Sequence, residues 1–154
     1  MTKYQENGQS VALVIAFGKL RIADFGDLDS TVEHELACPA NLIGSVDIVM
    51  TTHHGDNRAA TPQMVHAMHP LVAVMNNGPD RGGASWDSLR SSPGLLDIWQ
   101  LHYTVKAPER NPADDFIANR PGDADGSWIE ISAHEDGRFT VRNQRNGFEK
   151  SYGR

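Results

Sequence analysis

The chain of 154 residues contains a single cysteine, Cys38, so no disulfide can form within it. It has no run of basic residues. Its 14 Lys and Arg face 20 Asp and Glu, a formal net charge of −6. Non-specific binding to nucleic acid or to an anionic membrane depends on cations that neutralise phosphates, so neither partner is expected. No segment approaches the roughly 20 consecutive apolar residues that span a bilayer. The first ten residues, MTKYQENGQS, are polar and unlike a secretory signal. A cytoplasmic protein follows as the expectation. Aromatics are sparse, at 7%, and the hydrophobic content of 39% is ordinary for a globular protein. At this length folding buries roughly 68–70% of the unfolded surface, enough for one core, and residues 1–154 read as a single domain.

What is present is a series of short apolar runs separated by turn signals. Residues 11–17 and 20–25 flank Gly18-Lys19 and read as two strands joined by a tight turn. Both are apolar enough to be expected in the middle of a covered sheet. Ser30 and Glu33 have capping-box spacing for a helix over 31–37. Residues 46–52 (VDIVMTT) form another apolar strand. Thr61-Pro62 opens a helix that stops at His69-Pro70. A strand over 71–75 follows, then a helix over 86–91 capped by Ser85, then a segment over 95–102 expected to be helical. Residues 104–126, with three prolines and scattered acids, read as a long loop. Residues 127–133 and 138–143 alternate apolar and polar around Glu135-Asp136-Gly137, a hairpin signal. Strands alternating with helices point to an α/β fold with layers on a mixed sheet.

Two clusters of polar residues lie just past the ends of expected strands: Asp24-Phe25-Gly26-Asp27 and Thr52-His53-His54-Gly55-Asp56. Loops at strand ends are exposed yet held by a rigid sheet, and sites gather there. A carboxylate from one strand end and imidazoles from the next make a donor set that zinc accepts. The plainer alternatives are a surface histidine pair, and for Asp27 a loop acid favoured by the dipole of the helix that follows. Asp24, at the end of an apolar run, calls for a hydrogen-bond partner. His34 and His66 fall on expected helices and read as surface groups, and Cys38 as a small hydrophobe.

The run LVIAFGKLRIADFGDLD, then VDIVMTTHHG, then HPLVAVMNNG resembles the second half of the metallo-β-lactamase-fold hydrolases, and most closely the branch related to the hydrolase domain of DNA-uptake channel proteins. The likeness extends over residues 10–101. It implies half of an αββα sandwich, a mixed sheet with helices and a C-terminal hairpin. It implies that Asp27 matches the acid bridging two metal ions, and that His53 or His54 matches a late histidine ligand, with His53 favoured because it lies nearer the strand end. Asp24 is then a support for a ligand or its loop. The cofactor implied is zinc and the substrate a small molecule with an ester-like bond, a lactone, a β-lactam or another ester, cleaved by metal-activated water. The family's leading His-x-His-x-Asp-His motif is not in this chain, so Asp27, His53 and His54 are the whole expected ligand set. Half of a two-half fold also leaves one sheet face uncovered, so a homodimer is expected, and with it an alternative role as a non-catalytic interaction module.

Overall fold

The computed structural model describes residues 6–56 and 58–154. The polar start, residues 1–5, lies outside that range. Six strands form one mixed sheet in sequence order: β1 (Leu13–Phe17), β2 (Leu20–Asp24), β3 (Ile48–Met50), β4 (Val72–Met75), β5 (Asp97–His102) and β6 (Ile117–Asn119). β1 and β2 are an antiparallel hairpin with Ile15 opposite Ile22. Every later pairing is parallel: Ile22 meets Ile48, Val49 meets Ala73, Val74 meets Trp99 and Gln100 meets Ile117. Three helices, α1 (Ser30–Ala37), α2 (Pro62–Met68) and α3 (Gly83–Arg90), connect the parallel strands β2 to β5. The expected α/β class and mixed sheet are therefore found.

Side chains alternate across each strand and bury on both faces. Ala23, Val49, Ala73, Met75 and Ile98 pack on the helix side with Met64, Met68 and Leu89. Leu20, Ile48, Val72, Val74 and Trp99 pack on the opposite side. That second side is covered by a separate antiparallel sheet of β7 (Ile129–Ala133), β8 (Phe139–Asn143) and β9 (Glu149–Tyr152). Phe139 and Val141 are fully buried beneath it, each worth about 1.5–3 kcal/mol of transfer free energy. Trp99, Phe116 and Phe148 form an aromatic cluster with centroids 4.9–5.7 Å apart. The layers are helices, six-stranded sheet, three-stranded sheet.

Several expectations are corrected. The expected hairpin exists, but β9 makes it three strands, and together they cover the face that half a sandwich was expected to leave open. The segment 95–102 is not helical: all of it from Asp97 onward is β5, held between β4 and β6, because a short run buried on both faces lacks the periodicity that separates strand from helix. The long loop 104–126 contains a 3-10 turn at Asp114–Phe116 and strand β6. β1 is not a central strand. All five of its residues are exposed, because it is an edge strand and both covering layers stop short of it. The cap of α1 is Asp29, whose carboxylate accepts the N–H groups of Thr31 and Val32. Glu33 is instead fully buried and accepts the N–H groups of Ala60 at 2.7 Å and Thr61 at 2.9 Å. The cap residue of α3 is Gly82, and Ser85 lies inside the helix, its hydroxyl donating to the Ala59 carbonyl. Thr61 caps α2 as expected.

Candidate metal site

Parallel strands β2, β3 and β4 end side by side, and their first loop residues form the site. After β2, Asp24 Oδ1 accepts the Gly26 N–H at 3.1 Å. This turns the chain back, and Gly26 adopts φ +56°, a conformation that favours glycine. The Asp27 N–H donates to Ser10 Oγ at 3.2 Å. Asp24 is thus a support of the loop that presents Asp27, and its own carboxylate is turned to the backbone.

After β3, residues Thr52–Gly55 make a 3-10 turn with two non-glycine residues in the left-handed region, His53 (φ 50°, ψ 42°) and His54 (φ 56°, ψ 23°). Left-handed backbone costs roughly 1–2 kcal/mol per residue with a Cβ. Two in succession persist only where the surroundings over-determine them, a pattern concentrated at functional sites. The determinants are visible. The His53 N–H donates to the Gly26 carbonyl at 2.9 Å, tying the two loops together, and the Asp56 N–H donates to the His53 carbonyl. Gly55, at φ +73°, packs so closely on Gly82 that a Cβ there would lie 2.9 Å from its Cα.

The two histidines are turned to different surroundings. His53 is buried, and among the described residues its Nδ1 has no hydrogen-bond partner. His54 is half exposed. Its Nδ1 lies 3.1 Å from the backbone carbonyl of Asn76, at the end of β4. Its Nε2 lies 3.6 Å from Asp27 Oδ1. The carbonyl only accepts, so Nδ1 carries the proton, and in the neutral ring Nε2 presents its lone pair to the carboxylate. In that form two acceptors face each other, farther apart than a hydrogen bond, whereas a protonated ring makes the contact an ion pair. Two donor atoms on one tetrahedral zinc, each about 2.0–2.1 Å from it, stand roughly 3.3 Å apart. The pair therefore suits a small cation between them. The structure brings together Asp27 and His54, not Asp27 and His53, and among the described residues no group of three His, Cys, Asp or Glu side chains converges on one point. His34 is exposed on α1, and His66 Nε2 contacts the Ser88 carbonyl and Ser91 Oγ, both away from the pair.

Sequence reasoning missed Asn76 and Thr51. Thr51 is buried, and its hydroxyl donates to Asn76 Oδ1 at 2.9 Å. The only signal for Asn76 was its place at a strand end. Beside the site, burial pushes the Asp56 carboxyl up, but hydrogen bonds and charge from Arg58, with a further contribution from His53, outweigh it and hold it below the ordinary carboxylate value. Farther along the same sheet edge, His102, Tyr103, Asn119 and Arg120 line a cleft of about 280 Å³. No helix among the described residues is long and apolar enough to cross a membrane.

No protein-family model matches the chain, and no curated protein matches it.

Proposed function

We propose that the chain is a zinc-dependent hydrolase of small molecules carrying an ester-like bond (a lactone, a β-lactam or another ester), with Asp27 and His54 as the metal-holding residues. The observation that carries this reading is the facing of Asp27 Oδ1 and His54 Nε2 across 3.6 Å, with His54 Nδ1 held by a backbone carbonyl. A ligating histidine that donates its other ring N–H to a carbonyl is the usual outer arrangement of protein metal sites. Zinc, when bound, supplies a Lewis acid and lowers the pKa of water at its open positions. The chain's own contribution is an oriented imidazole and a carboxylate on strained, rigid loops at strand ends. Two ligands from the chain leave more than one position for water or substrate. The acidic net charge favours small substrates over nucleic acid, and a cytoplasmic setting accords with a lone free cysteine. Purified protein is assayed on chromogenic lactone, ester and β-lactam substrates with and without zinc. The reading expects zinc-dependent turnover that is lost in Asp27→Ala and in His54→Ala. Turnover that neither variant lowers, or none with any substrate, overturns it.

A second reading rests on a separate observation, the exposed apolar strand β1. Leu13, Val14, Ile15 and Phe17 are 37–49% exposed, Val11 just before the strand is 75% exposed, and no residue from 11 to 17 carries a charge. An exposed, apolar, uncharged edge strand invites pairing. Under this reading a second copy pairs antiparallel with β1 about a two-fold axis, placing apolar residues opposite apolar residues, and the chain acts as a self-associating module. The site of association is the edge strand rather than a sheet face.

A further inference from the structure

We infer that Thr51 is a positioning residue, acting through Asn76 to fix the tautomer and orientation of the His54 ring. Thr51 follows the end of β3 and Asn76 the end of β4, neighbouring parallel strands. The Thr51 N–H donates to the Val74 carbonyl at 3.0 Å, extending the ladder by one bond. Its hydroxyl then donates to Asn76 Oδ1 at 2.9 Å. Thr51 is 2% exposed, so this hydroxyl has no access to bulk water and its bond to Asn76 is costly to lose. The next residue, Asn77, is buried as well. Its amide donates to the His102 carbonyl at 2.8 Å, and its Oδ1 accepts the His102 N–H at 3.2 Å. Asn76 is therefore held through its side chain from the β3 side and through its neighbour from the β5 side. What remains to it is the backbone carbonyl, which receives His54 Nδ1.

The consequence is chemical. A carbonyl fixed at that point selects the Nδ1–H tautomer and leaves the Nε2 lone pair toward Asp27. Were Asn76 free to turn, the ring could place its proton on Nε2 and donate it to the Asp27 carboxylate. That arrangement blocks both donor atoms toward a cation. Thr51 thus biases the pair toward the cation-accepting form. The inference deepens the metal reading and rests on it for its functional meaning, but the tautomer itself is a property of the metal-free chain.

The test is nitrogen–proton correlation spectroscopy of the His54 imidazole in metal-free protein at roughly pH 9, where an ordinary histidine is neutral. Wild type is expected as the Nδ1–H tautomer. Thr51→Val keeps the shape and removes the hydroxyl. It is expected to show a mixture of tautomers and a zinc affinity about 10-fold weaker, the lower end of the range for outer partners. Thr51→Ser is expected to restore both. Asn76→Ala, which removes the acceptor of the Thr51 hydroxyl, is expected to repeat the Thr51→Val result and serves where that variant does not fold. An Nε2–H tautomer in wild type, or an unchanged Nδ1–H tautomer in the folded variants, overturns the inference. An Nδ1–H tautomer that responds to Thr51 in a protein with no zinc affinity overturns the proposed function and leaves the inference standing.

Discussion

His54 Nε2 stands 3.6 Å from Asp27 Oδ1 although the two residues are 27 positions apart and neither lies in a strand or an α-helix. Parallel pairing of β2 and β3 brings their ends together, and the bond from the His53 N–H to the Gly26 carbonyl closes the gap. The left-handed backbone at His53 and His54 is what turns the His54 ring toward the acid.

That strain makes a prediction. His54→Gly and His54→Ala both remove the ring, but only glycine relaxes the φ of 56°. The glycine variant is expected to be more stable than the alanine variant by about 1 kcal/mol, measured by urea unfolding. Alanine equal to or more stable than glycine contradicts the assignment of strain.

Glu33 holds the start of α2. It is fully buried and receives the N–H groups of Ala60 and Thr61. Glu33→Ala leaves both donors buried and unpaired, and is expected to cost about 2–4 kcal/mol. Glu33→Gln keeps one acceptor oxygen and should lose less. Chemical denaturation of the two variants side by side gives the order.

In the second core, Trp99 Nε1–H donates to Tyr152 Oη at 2.9 Å. Burial pushes the Tyr152 hydroxyl far above its ordinary pKa of 10.0, and the nearby Asp97 carboxylate adds to the rise while the Trp99 bond opposes it. A pKa raised on folding contributes stability that is complete below the unfolded value and lost as pH climbs past it. Stability is therefore expected to fall above about pH 10. Tyr152→Phe is expected to lose about 1–2 kcal/mol at neutral pH by leaving the indole donor unpaired, and to show a shallower alkaline decline. Melting curves from pH 7 to 11 report both.

β1 carries its own test. Ile15 is 49% exposed at the centre of the edge strand, so a charge there costs the monomer little while opposing strand pairing. If copies associate through β1, Ile15→Lys is expected to convert the protein to a monomer in light scattering after size exclusion, with its melting point nearly unchanged. A wild-type monomer at high concentration removes the second reading and leaves the hydrolase proposal untouched.

Much of this was readable in the sequence. The β1–β2 hairpin, the strand before His53, the Thr61-Pro62 start of α2 and the β7–β8 hairpin all carry local chemistry that admits few alternatives. The misreadings share one cause, dependence on distant partners. β5 is a strand because β4 and β6 flank it, and Glu33 serves a loop nearly 30 residues away instead of its own helix cap. β1 is as apolar as β3, and nothing in its residues says that the covering layers end before it reaches them. In the site, the motifs marked both loops, but not which histidine meets Asp27. That depends on two backbone angles and on the carbonyl of Asn76, which leaves no trace in composition or spacing.

The central claim, that Asp27 and His54 hold a metal ion, is tested most directly by calorimetric zinc titration of metal-stripped protein. The account predicts about one zinc per chain in wild type and in folded His53→Ala. It predicts affinity weaker by at least about 100-fold, the upper end for loss of outer partners alone, in Asp27→Ala and His54→Ala. No zinc bound by wild type, or binding that survives both substitutions, contradicts it.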